Sequence, residues 1–231
     1  MGELVAENIA RIHAKISSAA VRSGRSRDSI TLIAVCKSVA IEDVAAAYAA
    51  GLRDFGENYI QEAAARWNSP RLQFPDVHLH FIGHLQRNKV KNIAGRFEVI
   101  HSVDSLELAR SISSTAAANG NKISILLEVK LDNSQTRFGI DPELISAAAA
   151  LVRTLPGIQL RGLMGMGPPI LSPEESRPFF QKLHKLWSEL AEEERQILSM
   201  GMSGDFEVAI EEGATHIRLG TAIFGARKEA K

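Results

Sequence analysis

The sequence predicts an α/β fold, a single (β/α)8 TIM barrel with one extra N-terminal helix. Short apolar runs alternate with longer segments of helical period, the pattern of a parallel sheet whose strands are joined by helices. Eight such runs fit into 231 residues, about the length that this barrel needs. No Pro-, Gly- or Ser-rich linker divides the chain, so we expect one domain over residues 1–231. A doubly wound open sheet is the alternative.

The first predicted helix, residues 3–23, places Leu4, Ile9 and Ile12 near one face and precedes the first strand. Eight short apolar runs are predicted as strands: residues 29–36, 53–55, 79–82, 98–102, 122–130, 159–164, 196–200 and 214–219. Seven segments between them have helical spacing: residues 41–50, 61–67, 86–94, 106–118, 142–154, 173–193 and 205–212. Glycines fall where helix ends favour a left-handed residue, at Gly51, Gly120, Gly157 and Gly213.

The composition argues against several classes of partner. Basic and acidic residues both number 27, so the formal net charge is zero and we expect neither nucleic acid nor a membrane as partner. Cys36 is the only cysteine, so no internal disulfide can form, as is usual in a reducing compartment. Residues 1–7 include Glu3 and Glu7 and lack the apolar core of a signal peptide. We therefore expect a cytoplasmic protein.

Lys37 is the first candidate site residue. It closes the apolar run 31–37, so its amine lies where a buried strand emerges from the core. A lysine in an apolar rim can lose its charge through desolvation, and a neutral amine can attack an aldehyde to form a Schiff base. The alternative is a lysine whose stem packs on apolar neighbours while its amine reaches solvent.

A second group of candidates follows the last two predicted strands. Glycine allows close approach of a ligand, and backbone N–H groups and hydroxyls there can bind phosphate, although each glycine alone also suits a tight turn. The group is Ser203, Gly220 and Thr221. Barrels commonly bind phosphate at this place. A phosphate cup beside a lysine from the first strand suits pyridoxal 5'-phosphate (PLP), whose phosphate and aldehyde need these two groups.

Five runs of the chain occur in a fixed order: AVCK at 34–37, FGENYIQE at 55–62, HFIGHLQRNK at 80–89, LSMGMS at 198–203 and RLGTAIFGAR at 218–227. Together they resemble the YggS/PROSC family of pyridoxal phosphate homeostasis proteins over nearly the whole chain. The resemblance implies a fold-type III PLP barrel like the N-terminal domain of alanine racemase.

The resemblance also implies a role for each candidate. Lys37 matches the Schiff-base lysine, Arg218 matches the arginine that faces the pyridine nitrogen, and Asn58 matches a position lining the cofactor pocket. The phosphate-binding positions are matched by Ser203, Gly220 and Thr221.

The chain departs from the family pattern in four places. Gly204 replaces a common acidic residue, and Arg137 stands where the family usually has lysine. Residues 165–167 and 38–40 also differ from the usual runs. None of these changes removes a predicted cofactor contact, but the shapes of the loops after strands six and seven are left open.

The residues explain holding PLP better than they explain turnover. Arginine stays protonated, so a ring nitrogen facing Arg218 must accept a hydrogen bond and remain unprotonated, which makes the ring a poorer electron sink. Racemases with this arrangement use a lysine and a tyrosine from a second domain as opposed bases. Neither Tyr48 nor Tyr59 matches that second base.

We therefore predict a non-enzymatic PLP-binding protein that serves PLP homeostasis by buffering or delivering PLP, with PLP-dependent apoenzymes as candidate recipients and a monomer as the expected state. A small fold-type III enzyme, such as an amino-acid racemase, is the first alternative. A cofactor-free barrel enzyme acting on a sugar phosphate is the second.

The histidines near strand three do not predict a metal site. His78 and His80 share a strand face, but no acidic or cysteine partner stands near them in the sequence, and His84 fits the family motif without a metal. His101, at the end of the predicted fourth strand, is expected to form hydrogen bonds at the barrel rim.

Overall fold

Eight parallel strands form a closed barrel in the computed structural model, which describes residues 2–69, 74–93, 95–132, 138–168 and 172–226. Each strand pairs with its neighbours in chain order, and β1 also pairs with β8. The strands are β1 (Thr31–Val35), β2 (Asp54–Glu57), β3 (His78–Phe81), β4 (Val99–Val103), β5 (Ile123–Val129), β6 (Ile158–Gly165), β7 (Ile197–Ser199) and β8 (His216–Leu219).

Helices cover the outside of the barrel. They are α1 (Gly2–Arg22), α2 (Ile41–Ala49), α3 (Ile60–Trp67), α4 (Leu106–Ala118), α5 (Ile145–Val152), α6 (Arg177–Ser188), α7 (Phe206–Glu211) and α8 (Thr221–Phe224). Short 3-10 turns at Arg27–Ser29, Arg87–Asn92, Pro142–Leu144, Pro173–Ser176 and Glu192–Glu194 complete the described elements. No helix in the described ranges is both long and apolar enough to cross a membrane.

The predicted barrel with an extra N-terminal helix is confirmed. The pairing of Leu32 with Ile217 closes the sheet, so the alternative of an open doubly wound sheet is wrong. The predicted helix at 86–94 is instead a 3-10 turn at Arg87–Asn92, in which only Val90 is buried. One buried side chain and two asparagines give this segment little to stabilise an α-helix.

A close approach of two strands explains one glycine of the barrel. Gly162 in β6 has φ +149°, and a Cβ placed there would lie 1.7 Å from the carbonyl oxygen of Ile197 in β7. Any side chain at this position would push the two strands apart. Gly162 therefore lets β6 continue to Gly165 at the mouth of the barrel.

The N-terminal helix α1 packs on α2, α7 and α8. Its inward face is apolar and buried, and Ile16 is fully buried. The amide of Asn8, also buried, donates a hydrogen bond of 2.8 Å to the carbonyl oxygen of Ile223 in α8. The extra helix thus supports the segment that follows β8, which carries two of the predicted site residues.

The buried face of α1 predicts a clear difference between two truncations. We expect Ile16→Ala to lower the free energy of unfolding by about 2–5 kcal/mol, because it leaves a cavity under the helix. Val21→Ala is the matched control and should change it by less than about 0.5 kcal/mol, because Val21 is 76% exposed. Urea unfolding measures both values. Equal effects of the two variants would contradict this packing of α1.

Candidate functional site

Lys37 lies in the turn that follows β1. Cys36 before it is fully buried, which raises the pKa of the thiol, and Lys37 itself is partly buried. Ser38 after it has φ +56°, a positive value found at no other described residue except glycines. This conformation costs energy for a residue with a Cβ and persists only where the surroundings hold it.

The guanidinium of Arg66, from α3, holds this turn. Its Nη2 donates a hydrogen bond of 2.8 Å to the carbonyl oxygen of Cys36, and its Nη1 donates one of 2.6 Å to the carbonyl oxygen of Val39. These two carbonyl groups flank Lys37 and Ser38. Arg66 is buried, so water does not compete strongly for these bonds. One side chain therefore fixes both ends of the turn.

Arg66 is fixed in turn by Glu57, a fully buried residue at the end of β2. Oε1 of Glu57 accepts hydrogen bonds from Arg66 Nε at 2.9 Å and from Trp67 Nε1 at 2.8 Å. Burial raises the pKa of Glu57, while the charge of Arg66 and both hydrogen bonds oppose that rise. The turn after β1 has a second side-chain contact, with Glu62. The carboxylate of Glu62 accepts a hydrogen bond of 3.1 Å from the backbone N–H of Ser38.

The amine of Lys37 faces an aromatic ring. Its Nζ lies 5.0 Å from the centroid of the Tyr59 ring, within cation–π range. Tyr59 stands between β2 and α3 and is 45% exposed. The amine therefore lies beside a half-exposed ring, where an incoming molecule can reach it.

One cavity of about 490 Å³ brings Lys37 together with two of the predicted phosphate-binding residues, Gly220 and Thr221. The third residue, Ser203, touches the same segment, because its Oγ accepts a hydrogen bond of 3.2 Å from the backbone N–H of Ala222. Four of the six predicted site residues are therefore neighbours at the barrel mouth.

The loop that carries Ser203 is ordered by Asp205, which is buried. Its Oδ1 accepts a hydrogen bond of 2.7 Å from the N–H of Met202, and its Oδ2 accepts one of 2.8 Å from the hydroxyl of Ser176. The departure at Gly204 leaves this loop intact. A Cβ at 204 would meet no atom within 4 Å, so the loop also has room for the acidic residue usual in the family.

Gly220 is not required by the packing of the protein alone. A Cβ there would lie 3.5 Å from Cβ of Val35, an ordinary van der Waals contact. The backbone has φ −115°, which other residues also adopt. Glycine here leaves the backbone of this segment open to close approach from the cavity.

Asn58 lies on a neighbouring cavity of about 430 Å³, together with Tyr59, Gly83 and His84. Its Oδ1 is buried and has no hydrogen-bond partner among the described residues. A Cβ at Gly83 would lie 2.1 Å from the carbonyl oxygen of Asn58, so this glycine permits the close packing of the loops after β2 and β3. Asn58 is thus at the mouth, but on a different cavity from Lys37.

Arg218 lies inside the barrel and is only 5% exposed. Its Nη1 donates a hydrogen bond of 2.6 Å to Oγ of Ser199, and its Nη2 donates one of 3.2 Å to the carbonyl oxygen of Gly165. Burial lowers the pKa of Arg218 to about 10, while the carboxylates of Glu128 and Asp205 oppose that change. The guanidinium therefore remains charged at neutral pH.

The three histidines on and just after β3 lie in separate places. His78 is exposed and pairs with Glu98 at 2.9 Å, whereas His84 pairs with Asp104 at 3.1 Å and stacks on Phe138. His80 points into the barrel. In the described ranges, no group of three or more His, Cys, Asp or Glu side chains is arranged to hold a metal ion.

The prediction that His101 lies at the rim is wrong. It is fully buried in the barrel interior, because β4 continues to Val103 and its register shifts between Ile100 and Val103. Burial lowers the pKa of His101 well below its usual value, and its neighbours His80, His216 and Arg218 lower it further.

Comparisons with known proteins give the family of the chain. The family model described as alanine racemase, N-terminal domain, matches residues 7–228. A pyridoxal phosphate homeostasis protein of Aquifex aeolicus is 40% identical over 225 residues, 96% of this chain and 98% of the relative. The chain belongs to the pyridoxal phosphate homeostasis protein family.

Solved structures of similar proteins agree with this family. A protein of Bifidobacterium adolescentis is 34% identical, with a TM-score of 0.88 over 96% of this chain and 95% of that one. PipY of Synechococcus elongatus, solved with PLP bound, is 37% identical, with a TM-score of 0.82 over 96% of this chain and 100% of PipY. The family resemblance predicted from the sequence is confirmed.

Sequence reasoning did not identify three residues around Lys37. Glu57 and Tyr59 lie in a run that signalled the family, but their contacts were not predicted. Arg66 gave no signal, because a charged residue in an amphipathic helix usually faces solvent. Arg137, one of the family departures, lies outside the described residues.

The pairing of Glu57 with Arg66 predicts strong coupling. We expect Arg66→Met to lower the free energy of unfolding by about 3–5 kcal/mol, because it leaves a buried carboxylate unpaired. The double variant Glu57→Leu, Arg66→Met should recover a large part of that loss. Urea unfolding of both single variants and the double variant gives the coupling energy, and additive losses would contradict the buried pair.

The interior histidines predict a loss of stability in acid. Burial lowers the pKa of His216 to about 3 from its usual 6.5. The unfolded chain therefore binds the proton more readily, and stability falls as the pH drops below about 6.5. We expect His216→Gln to remove about 2 kcal/mol of the stability difference between pH 7 and pH 5.

Urea midpoints at both pH values measure this difference. His78→Gln is the control of opposite sign, because the hydrogen bond with Glu98 raises the pKa of the exposed His78. Its stabilising effect is present in acid and fades as the pH rises, so removing it should slightly increase the acid loss. A His216→Gln variant with the same acid loss as the parent would contradict the buried, uncharged His216.

Proposed function

We propose that this protein binds PLP for intracellular PLP homeostasis and holds it as a Schiff base on Lys37, so that it buffers or delivers the cofactor. The observation that carries the proposal is the cavity shared by Lys37, Gly220 and Thr221. The chain that forms this cavity has relatives named pyridoxal phosphate homeostasis proteins. Another similar protein, PipY, was solved with PLP bound.

The chemistry of these residues fits PLP. The amine of Lys37 would hold the aldehyde carbon, and the phosphate would be held by Ser203, Gly220 and Thr221. When bound, PLP supplies an aldehyde that reacts reversibly with primary amines. The glycine at 220 would let the backbone approach the phosphate oxygens.

Two further residues complete the binding set. Arg218, which stays charged, would donate to the pyridine nitrogen from the barrel interior. The buried Oδ1 of Asn58, without a partner among the described residues, can accept a hydrogen bond from a group that enters the mouth. Both residues suit a ligand that extends from the cup across the mouth of the barrel.

The same residues favour storage over turnover. A charged Arg218 keeps the ring nitrogen unprotonated, so the ring draws electrons weakly from bonds next to it. Tyr59 presents its ring face to the amine of Lys37, in a position suited to a cation–π contact. The relatives are named as homeostasis proteins and not as enzymes. The racemase and the sugar-phosphate enzyme are therefore the weaker hypotheses.

Delivery would use the position of Lys37 at the mouth. Its amine lies beside the half-exposed ring of Tyr59, where the amine of another molecule can take over the cofactor. We propose PLP-dependent apoenzymes as recipients. We also propose that residues 1–231 form a single domain and that the protein is cytoplasmic. We propose a monomer as its state, which sedimentation of the purified protein tests directly.

The attachment of PLP to Lys37 can be tested by borohydride reduction. We expect the wild-type protein to gain one reduced pyridoxyl group, located on Lys37 by peptide mass spectrometry, and Lys37→Arg to gain none. Lys89→Arg is the matched control, because Lys89 lies on the neighbouring cavity, and it should be labelled like the wild type. Wild-type protein that stays unlabelled with excess PLP would overturn the proposed function.

The non-enzymatic part of the proposal has its own test. Amino-acid racemisation and elimination assays with the PLP-loaded protein should show no sustained turnover. Turnover that persists over many cycles and is lost in Lys37→Ala would show an enzyme, while leaving PLP binding intact.

A further inference from the structure

Five side chains from five strands form a continuous hydrogen-bonded chain through the barrel interior. The members, in order, are Asp54, His80, His101, Ser199 and Arg218, and we call them the interior chain. Asp54 contacts His80 at 3.1 Å, and the two imidazoles are 3.0 Å apart. His101 contacts Ser199 at 2.9 Å, and Ser199 accepts from Arg218 at 2.6 Å.

When each imidazole carries one proton, the two ends of the interior chain fix where the protons lie. The carboxylate of Asp54 only accepts, so Nε2 of His80 donates to it. Nδ1 of His80 then accepts from Nε2–H of His101, and Nδ1 of His101 accepts from the hydroxyl of Ser199. The oxygen of Ser199 remains free to accept from Arg218, which only donates. Each of the four hydrogen bonds thus has one proton.

The surroundings keep this proton order. Burial disfavours a second proton on His101 and lowers its pKa, and the neighbouring His80, His216 and Arg218 lower it further. His216, from β8, contacts both imidazoles at its ring edge and also has a lowered pKa. Outside the interior chain, the charged groups that act on this region are Arg161, Glu128 and Asp205.

We infer that Ser199, His101 and His80 are positioning residues for Arg218. The hydroxyl of Ser199 is held in one direction by His101, which is held by His80 and Asp54. The guanidinium is fixed between Ser199 and the carbonyl oxygen of Gly165. Its orientation determines which of its N–H groups would donate to the pyridine nitrogen. This role rests on the proposed function, because it concerns the contact of Arg218 with bound PLP.

Substitutions in the interior chain that would not touch the cofactor test this positioning role. Ser199→Ala removes the link to Arg218 with almost no change in volume, and His101→Phe removes the support of Ser199. We expect Ser199→Ala to weaken PLP binding by up to about tenfold, because a guanidinium that is no longer held must be ordered when the ring binds. His101→Phe should weaken it by a similar factor, and Ser199→Thr should restore binding.

The experiment measures PLP affinity and the absorbance spectrum of the bound cofactor from pH 6 to pH 9, with borohydride labelling of Lys37 at saturating PLP. We expect Ser199→Ala to change the pH dependence of the spectrum while Lys37 is still labelled. His78→Gln, on the outer end of β3, is the control and should behave as wild type. Nitrogen-15 NMR of the histidines in PLP-free protein should show His80 and His101 protonated at Nε2.

The outcomes separate the two proposals. Folded Ser199→Ala and His101→Phe proteins with wild-type affinity and spectra would overturn the positioning role alone. Histidines protonated at Nδ1 would overturn the proton order on which that role depends. Wild-type protein whose Lys37 is never labelled would overturn the proposed function and the positioning role with it.

Discussion

The buried ion pair between Glu57 and Arg66 is the interaction on which the site depends most. It places a guanidinium between the carbonyl groups of Cys36 and Val39, and so fixes the turn in which Lys37 lies. A buried ion pair contributes little net stability, because desolvation offsets much of its attraction. Its effect here is conformational. It holds Ser38 at a positive φ and keeps the amine of Lys37 at the barrel mouth.

Closure of the barrel creates the rest of the site. Ala34 pairs with Leu219, so the turn after β1 and the segment after β8 leave the sheet side by side. Lys37 and Thr221, near opposite ends of the sequence, therefore share one cavity. The buried Asn8 adds a hydrogen bond from α1 to this segment. The N-terminal helix thus packs on the outside of the barrel and also supports the segment that carries the predicted phosphate-binding residues Gly220 and Thr221.

The strands, the order of the elements and the family were predictable, because apolar period and strand ends are local features of the sequence. The contacts around Lys37 were not, since they depend on which charged side chains turn inward. Arg66 has the sequence signature of a solvent-exposed helix residue. His101 depends on the register shift in β4, and no local pattern signals it. Ser38 has a positive φ without the glycine or asparagine that usually marks one.

The central claim is that Lys37 and the phosphate cup around Thr221 form one PLP site, and that Arg66 fixes the turn in which Lys37 lies. A crystal structure of the protein soaked with PLP tests it most directly. We predict density continuous with Nζ of Lys37, the phosphate against Ser203, Gly220 and Thr221, and the two hydrogen bonds from Arg66 to the turn unchanged. PLP bound elsewhere, or a turn released from Arg66 when Lys37 is occupied, would contradict the claim.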